Sequence, residues 1–133
     1  VVDRRLAPGG VVVLNYVGYR EGPRGRPLRS VARTIAATFP WIRVLPCGTA
    51  GEYGGNILVA GRAPVSLETG ARPFAVSAEV DSELAASKPL ALAGPSTLLT
   101  DDYNPLDLWA LAGHEEWRRE ALAWMPWDVT LAE

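Results

Sequence analysis

The sequence predicts an α/β fold: the carboxy-terminal part of a mostly parallel sheet, ending in an antiparallel hairpin and a C-terminal helix. Three observations carry this. Val11-Val12-Val13-Leu14 is a continuous apolar, β-branched run, the pattern of a strand covered on both faces. Leu28, Val31, Ala32, Ile35, Ala36 and Phe39 recur at spacings of three and four, so they share one helix face. Two short apolar runs, 41–45 and 56–60, flank a Gly-rich stretch and read as a hairpin.

The elements follow in order. Residues 1–7 read as the end of a helix, stopped by Pro8-Gly9-Gly10. The strand 11–14 comes next, then a loop rich in Gly, Pro and Arg over 15–27. The helix 28–39 ends at Pro40. Trp41 to Leu45 is the second strand, Pro46 to Gly55 the turn, and Asn56 to Ala60 a third strand antiparallel to the second. This order is the ending of a Rossmann-like sheet with one reversed edge strand. Residues 61–100 form an irregular connecting region, broken by Pro64, Pro73, Pro89 and Pro95, with room for a short helix over 77–87. A last helix starts with Asn104 as cap, Pro105 at its first position and Asp107 on the positive end of its dipole. Leu106, Trp109, Ala110, Trp117, Ala121, Trp124 and Met125 mark one face, Gly113 weakens the middle, and Pro126 ends it. The whole of 1–133 is expected to be a single partial domain.

Composition excludes several classes. Hydrophobic residues make up 48% and charged residues 21%, a globular balance rather than a disordered one. A net charge of -2 gives no basic footprint, so no nucleic-acid partner is expected. Arg4, Arg5, Arg20, Arg24 and Arg26 read as solvated surface. Cys47 is the only cysteine, so an internal disulfide is impossible and a buried structural thiol is expected. His114 reads as a surface residue, with no second His or Cys at metal-ligand spacing. No apolar stretch approaches the roughly 20 residues that span a bilayer. The start, Val1-Val2-Asp3-Arg4-Arg5, is not a signal peptide. Since the first residue is not Met, the chain is expected to come from something longer.

Three segments carry a resemblance. They are RRLAPGGVVVLN (4–15), the run from VARTIAATFP through WIRVLPCGTAGEYGGNILVAG (31–61), and LLTDDYNPLDLW (98–109). In this order they resemble the carboxy-terminal half of the spermidine synthase family, polyamine aminopropyltransferases with a class I methyltransferase-like fold. The third segment, similar to the family's acidic-aromatic motif, is the specific one. The resemblance implies transfer of an aminopropyl group from decarboxylated S-adenosylmethionine to putrescine or a similar amine in the intact protein. It also implies that the donor-binding Gly-rich loop, the ribose-holding acid and the catalytic aspartate lie upstream of residue 1. The chain alone is therefore expected to bind no cofactor and to carry no catalytic residue. A cytoplasmic location follows, or that of a soluble domain in a membrane-attached parent.

Four residues match the family's amine site. Asn15 stands where many members have Gln, and its alternative role is to cap the strand. Tyr103 matches a tyrosine beside the polyamine, and otherwise anchors the start of the last helix. Asp101 and Asp102 are acids near that site, and otherwise serve the helix dipole. Asp107 reads as a helix cap, Glu52 and Tyr53 as a solvated turn, and Glu115, Glu116, Arg118, Arg119 and Glu120 as the solvated face of the last helix. Trp41, Trp109, Trp117, Trp124 and Trp127 read as core or interface. Two rival readings stay open: a methyltransferase of the same fold, and a non-catalytic assembly module. In the latter the chain forms a homodimer or pairs through an exposed sheet edge and the Trp-rich helix.

Overall fold

The computed structural model describes residues 2–47, 53–65, 78–85, 88–89 and 94–124. Its elements are α1 (Val2–Arg5), β1 (Val11–Tyr19), a 3-10 turn (Pro23–Gly25), α2 (Arg26–Ala36), β2 (Trp41–Pro46), β3 (Tyr53–Gly61), α3 (Ala78–Ala85), β4 (Lys88–Pro89) and α4 (Leu106–Trp124). Gly51, Glu52, Ser77, Ser87, Met125, Pro126 and Trp127 lie outside the described residues, as does much of the 61–100 connection.

The sheet order is β1-β3-β2-β4. Strand β3 pairs antiparallel with both β1 and β2, so β1 and β2 run parallel to each other. The reversed strand is therefore interior, not at the edge as expected. Burial explains its position. Leu58, Val59 and Ala60 are all buried, as a strand paired on both sides and covered on both faces requires.

Strand β1 departs from expectation in two ways. It runs on through Tyr19, so Asn15 is mid-strand, opposite Ile57, rather than at a strand end. It is also not covered on both faces. It is paired on one side only among the described residues, and Val13 (62%) and Val17 (49%) are exposed. The β-branched run makes it a strand, but the described elements do not bury it.

Helix α2 packs Leu28, Val31 and Ala32 against Leu58, with Tyr16, Ile35, Ile42, Leu99 and Leu106 around them. It begins at Arg26, two residues earlier than the apolar pattern indicates, because Pro27 suits a first turn. The turn before it needs glycine. A Cβ at Gly25 would lie 2.5 Å from the Arg20 carbonyl oxygen. The helix ends at Ala36, and Phe39 follows in a turn closed by its N–H on the Ile35 carbonyl.

The other side of α2 is polar, and Arg29 and Ser30 on it are still buried. The Ser30 hydroxyl accepts from the Thr97 N–H at 3.0 Å, and the Thr34 hydroxyl accepts from the Leu99 N–H at 2.9 Å. Arg29 donates to the carbonyls of Gly22 and Pro95, and Arg33 to that of Ser96. These bonds fasten the irregular strand-free stretch 95–99 along the helix. The chain then turns at Thr100–Tyr103 and enters α4, whose Leu106 joins the core. The first bond of α4 runs from the Trp109 N–H to the Pro105 carbonyl, so the helix starts one residue later than an Asn104 cap predicts. Among the described residues no helix is long and apolar enough to cross a membrane.

Candidate functional site

Ligands of open α/β sheets gather beyond the carboxyl ends of parallel strands. Strand β1 ends at Tyr19, and the register sets Tyr53 of β3 directly opposite. The buried amide of Asn56 ties these strand ends together. Its Nδ2 donates to the carbonyls of Gly18 (3.0 Å) and Gly54 (3.1 Å). Helix α4 crosses here at Gly113, where an added Cβ would lie 3.2 Å from the Tyr19 ring and 3.4 Å from the Tyr53 ring. The glycine that weakens the helix is thus what lets it approach.

A cavity of about 110 Å³ lies between the strand ends and α4. Its main lining is Tyr16, Tyr19, Tyr53 and Trp109, with Arg24 and Glu116. Tyr19 and Tyr53 meet edge to face at 5.3 Å, and Tyr53 stacks on Trp117 at 6.0 Å. The Glu116 carboxylate accepts from the Tyr19 hydroxyl at 2.8 Å and from Arg24. The Arg24 guanidinium also lies over the Tyr19 ring, 4.9 Å from its centre. Beneath Tyr16 the strand must be bare, since a Cβ at Gly18 would sit 2.7 Å from that ring.

The titration behaviour follows from these contacts. The Tyr19 hydrogen bond, helped by Arg24, holds Glu116 below the usual carboxylate range. Burial, with Tyr53 nearby, pushes Tyr16 up to about 12. Burial first, then the bond to Glu116, raises Tyr19. At neutral pH the site therefore holds the Glu116 carboxylate, the Arg24 guanidinium and neutral phenols, of which Tyr19 donates to Glu116.

Several of these residues depart from the sequence expectations. Glu116 is half-buried and paired, not part of a solvated face. Tyr53 lines the cavity instead of standing in a solvated turn. Arg24 is paired with Glu116, and Arg26 stacks on Trp109 at 4.1 Å, so neither is simply solvated. A signal for the site did exist. Gly18-Tyr19 and Tyr53-Gly54 are mirrored pairs that register across the two strands, but only once the partner strand is known.

The four residues matched by resemblance lie elsewhere. Asn15 is exposed on β1, with its Oδ1 3.9 Å from where a Gly55 Cβ would stand. Asp101 and Asp102 form the exposed tip of the turn closed by Thr100 and Tyr103, and Tyr103 is half-exposed. That turn brings three of the four together, but none of them lines the cavity. Cys47 is a free thiol, half-buried rather than buried. No group of three His, Cys, Asp or Glu among the described residues could hold a metal ion. Compared with protein-family models, curated proteins and solved structures, the chain matches none.

Proposed function

We propose that the chain is the carboxy-terminal half of a polyamine aminopropyltransferase resembling spermidine synthase. In the intact protein it would transfer an aminopropyl group from decarboxylated S-adenosylmethionine to putrescine or a similar amine. One observation carries the reading: the three segments of the resemblance pack as a unit. Residues 11–15 form the first part of β1, which pairs with β3; 31–61 supplies the second half of α2 with β2 and β3; and Leu99 and Leu106 of 98–109 pack against Val31, Ala32 and Leu58.

On this reading the amine lies near Asn15, Asp101, Asp102 and Tyr103. The donor site and the base come from the preceding half, and positioning does most of the work. The uncovered β1 supports the same division, because its edge, unpaired on one side among the described residues, suits a further strand. It also suits a second copy, which keeps the assembly-module reading in view. Sedimentation against concentration separates the two, since only self-pairing raises the mass with concentration.

The test is an assay of the intact polypeptide containing this segment, given decarboxylated S-adenosylmethionine and putrescine. Spermidine and 5′-methylthioadenosine should appear together. S-adenosylhomocysteine formed from S-adenosylmethionine would favour the methyltransferase instead. The chain by itself should bind no 5′-methylthioadenosine in a calorimeter, and tight binding there would refute the half-enzyme reading.

A further inference from the structure

The face of α2 turned toward residues 94–97 carries more positive charge than its neighbours neutralise. Arg26, Arg29 and Arg33 follow at spacings of three and four, so they share that face. Arg29 is buried, and a buried guanidinium ordinarily has an acid beside it. Here none of the three has a carboxylate partner among the described residues. Their contacts are neutral. Arg29 bonds to the carbonyls of Gly22 and Pro95, Arg33 to that of Ser96, and Arg26 to the Thr97 hydroxyl at 3.4 Å. The Arg26 Nε is buried with no hydrogen-bond partner. Carbonyls and hydroxyls occupy donors but leave three charges uncompensated. The facing chain passes close over one of them. A Cβ at Gly94 would lie 3.5 Å from the Arg29 Nε, and the φ of 101° there favours glycine. Beside it the exposed Arg33 sets a guanidinium nitrogen 3.5 Å from the Ser96 hydroxyl.

We propose that Arg26, Arg29 and Arg33, with the hydroxyls of Ser96 and Thr97, form a binding site for a phosphate group. A phosphate suits this set better than a carboxylate does, because it brings nearly two charges and at least three acceptor oxygens to three cations. Arg33 and the partly exposed Ser96 hold its oxygens from the solvent side. Arg26, fixed on the Trp109 ring, adds charge from the Thr97 side. Buried Arg29 adds it from beneath, where a low dielectric strengthens the attraction. The site uses none of Asn15, Asp101, Asp102 and Tyr103, and the inference does not rest on aminopropyl transfer.

The test is calorimetric titration of the chain with inorganic phosphate and with methyl phosphate, each against chloride at matched ionic strength. Saturable binding to a single site is expected with phosphate and none with chloride. Arg33→Gln should weaken that binding roughly tenfold, the effect of one charge-assisted hydrogen bond. Arg33→Lys keeps the charge without the fork and should recover part of the loss. Ser96→Ala should weaken binding roughly threefold, the effect of one neutral donor. Tighter binding of methyl phosphate than of phosphate would mark a phosphate ester as the ligand, and the reverse order the free ion. No binding beyond that of chloride, or equal affinity in the parent and Arg33→Gln, would overturn the proposal. Should Arg33→Gln lose the parent's circular dichroism spectrum, Ser96→Ala decides, and an affinity equal to the parent's there overturns the site.

Discussion

Two joints hold the irregular and helical C-terminal part to the rest of the fold, one along α2 and one at the strand ends, and they are built from opposite materials. Where residues 95–99 run along α2, short hydroxyls and arginines bond to backbone groups, and Ser30 is fully buried. Where α4 crosses the strand ends, rings meet at their edges and one half-exposed carboxylate pairs with the exposed Arg24. The first joint satisfies backbone N–H groups with buried or part-buried hydroxyls. The second leaves a cavity and contacts that solvent, or a ligand, can replace. Both join the same two regions, the first through bonds to backbone groups and the second through contacts between side chains.

Substitutions can break this contrast in order of size. Leu58→Ala, beneath both joints, should cost about 2–5 kcal/mol in a denaturant melt. A loss below 1 kcal/mol would mean the shared core is looser than the packing indicates. Ser30→Ala should cost about 1–3 kcal/mol, because the Thr97 N–H loses its acceptor. Amide hydrogen exchange should then quicken at Thr97 and Leu99 and leave the α4 joint unchanged. Spread of the effect into α4 would show that the joints are coupled.

Two milder tests concern the second joint. Gly113→Ala gains about 1 kcal/mol of helix propensity, but its Cβ pushes on the Tyr19 ring. Stability should stay within about 1 kcal/mol of the parent, while the near-ultraviolet circular dichroism of the tyrosines changes. An unchanged spectrum would mean that α4 does not approach so closely. The smallest effect is on pH. Glu116 is held below its ordinary 4.5, so its contribution is complete above that value and lost as pH falls through the lower folded-state value. Glu116→Gln should remove that acid-side loss. Should the two acid titrations coincide, the carboxylate is not paired in solution.

The apolar periodicity made α2 and the strand cores legible, because spacing alone decides which side chains share a face. It could not reveal that Arg29 and Ser30 are buried, since hydrogen bonding to a distant loop leaves no periodic trace. The order of the strands was hidden for a similar reason. The turn between β2 and β3 announces a hairpin, but nothing local says that β3 also accepts β1 on its other side. The same gap hid the cavity. Tyr19, Tyr53 and Glu116 are far apart in the chain, and only the inserted strand and the bare backbone at Gly113 bring them together. Asn15, Asp101, Asp102 and Tyr103 were legible only through resemblance, which gives residues a likeness to a site without giving the neighbours that complete it.

The inserted strand also governs timing. Val11 finds its partner in Gly61 and Trp41 finds the same residue from the other side. Neither parallel strand can bond laterally to the other, so both wait for a segment made after them. The β2–β3 hairpin closes over a short turn, whereas β1 pairs only after the long loop through α2 and β2 has closed, which slows that step. During synthesis β1 and β2 emerge before the strand that joins them, and they come into one sheet only when β3 slides between them.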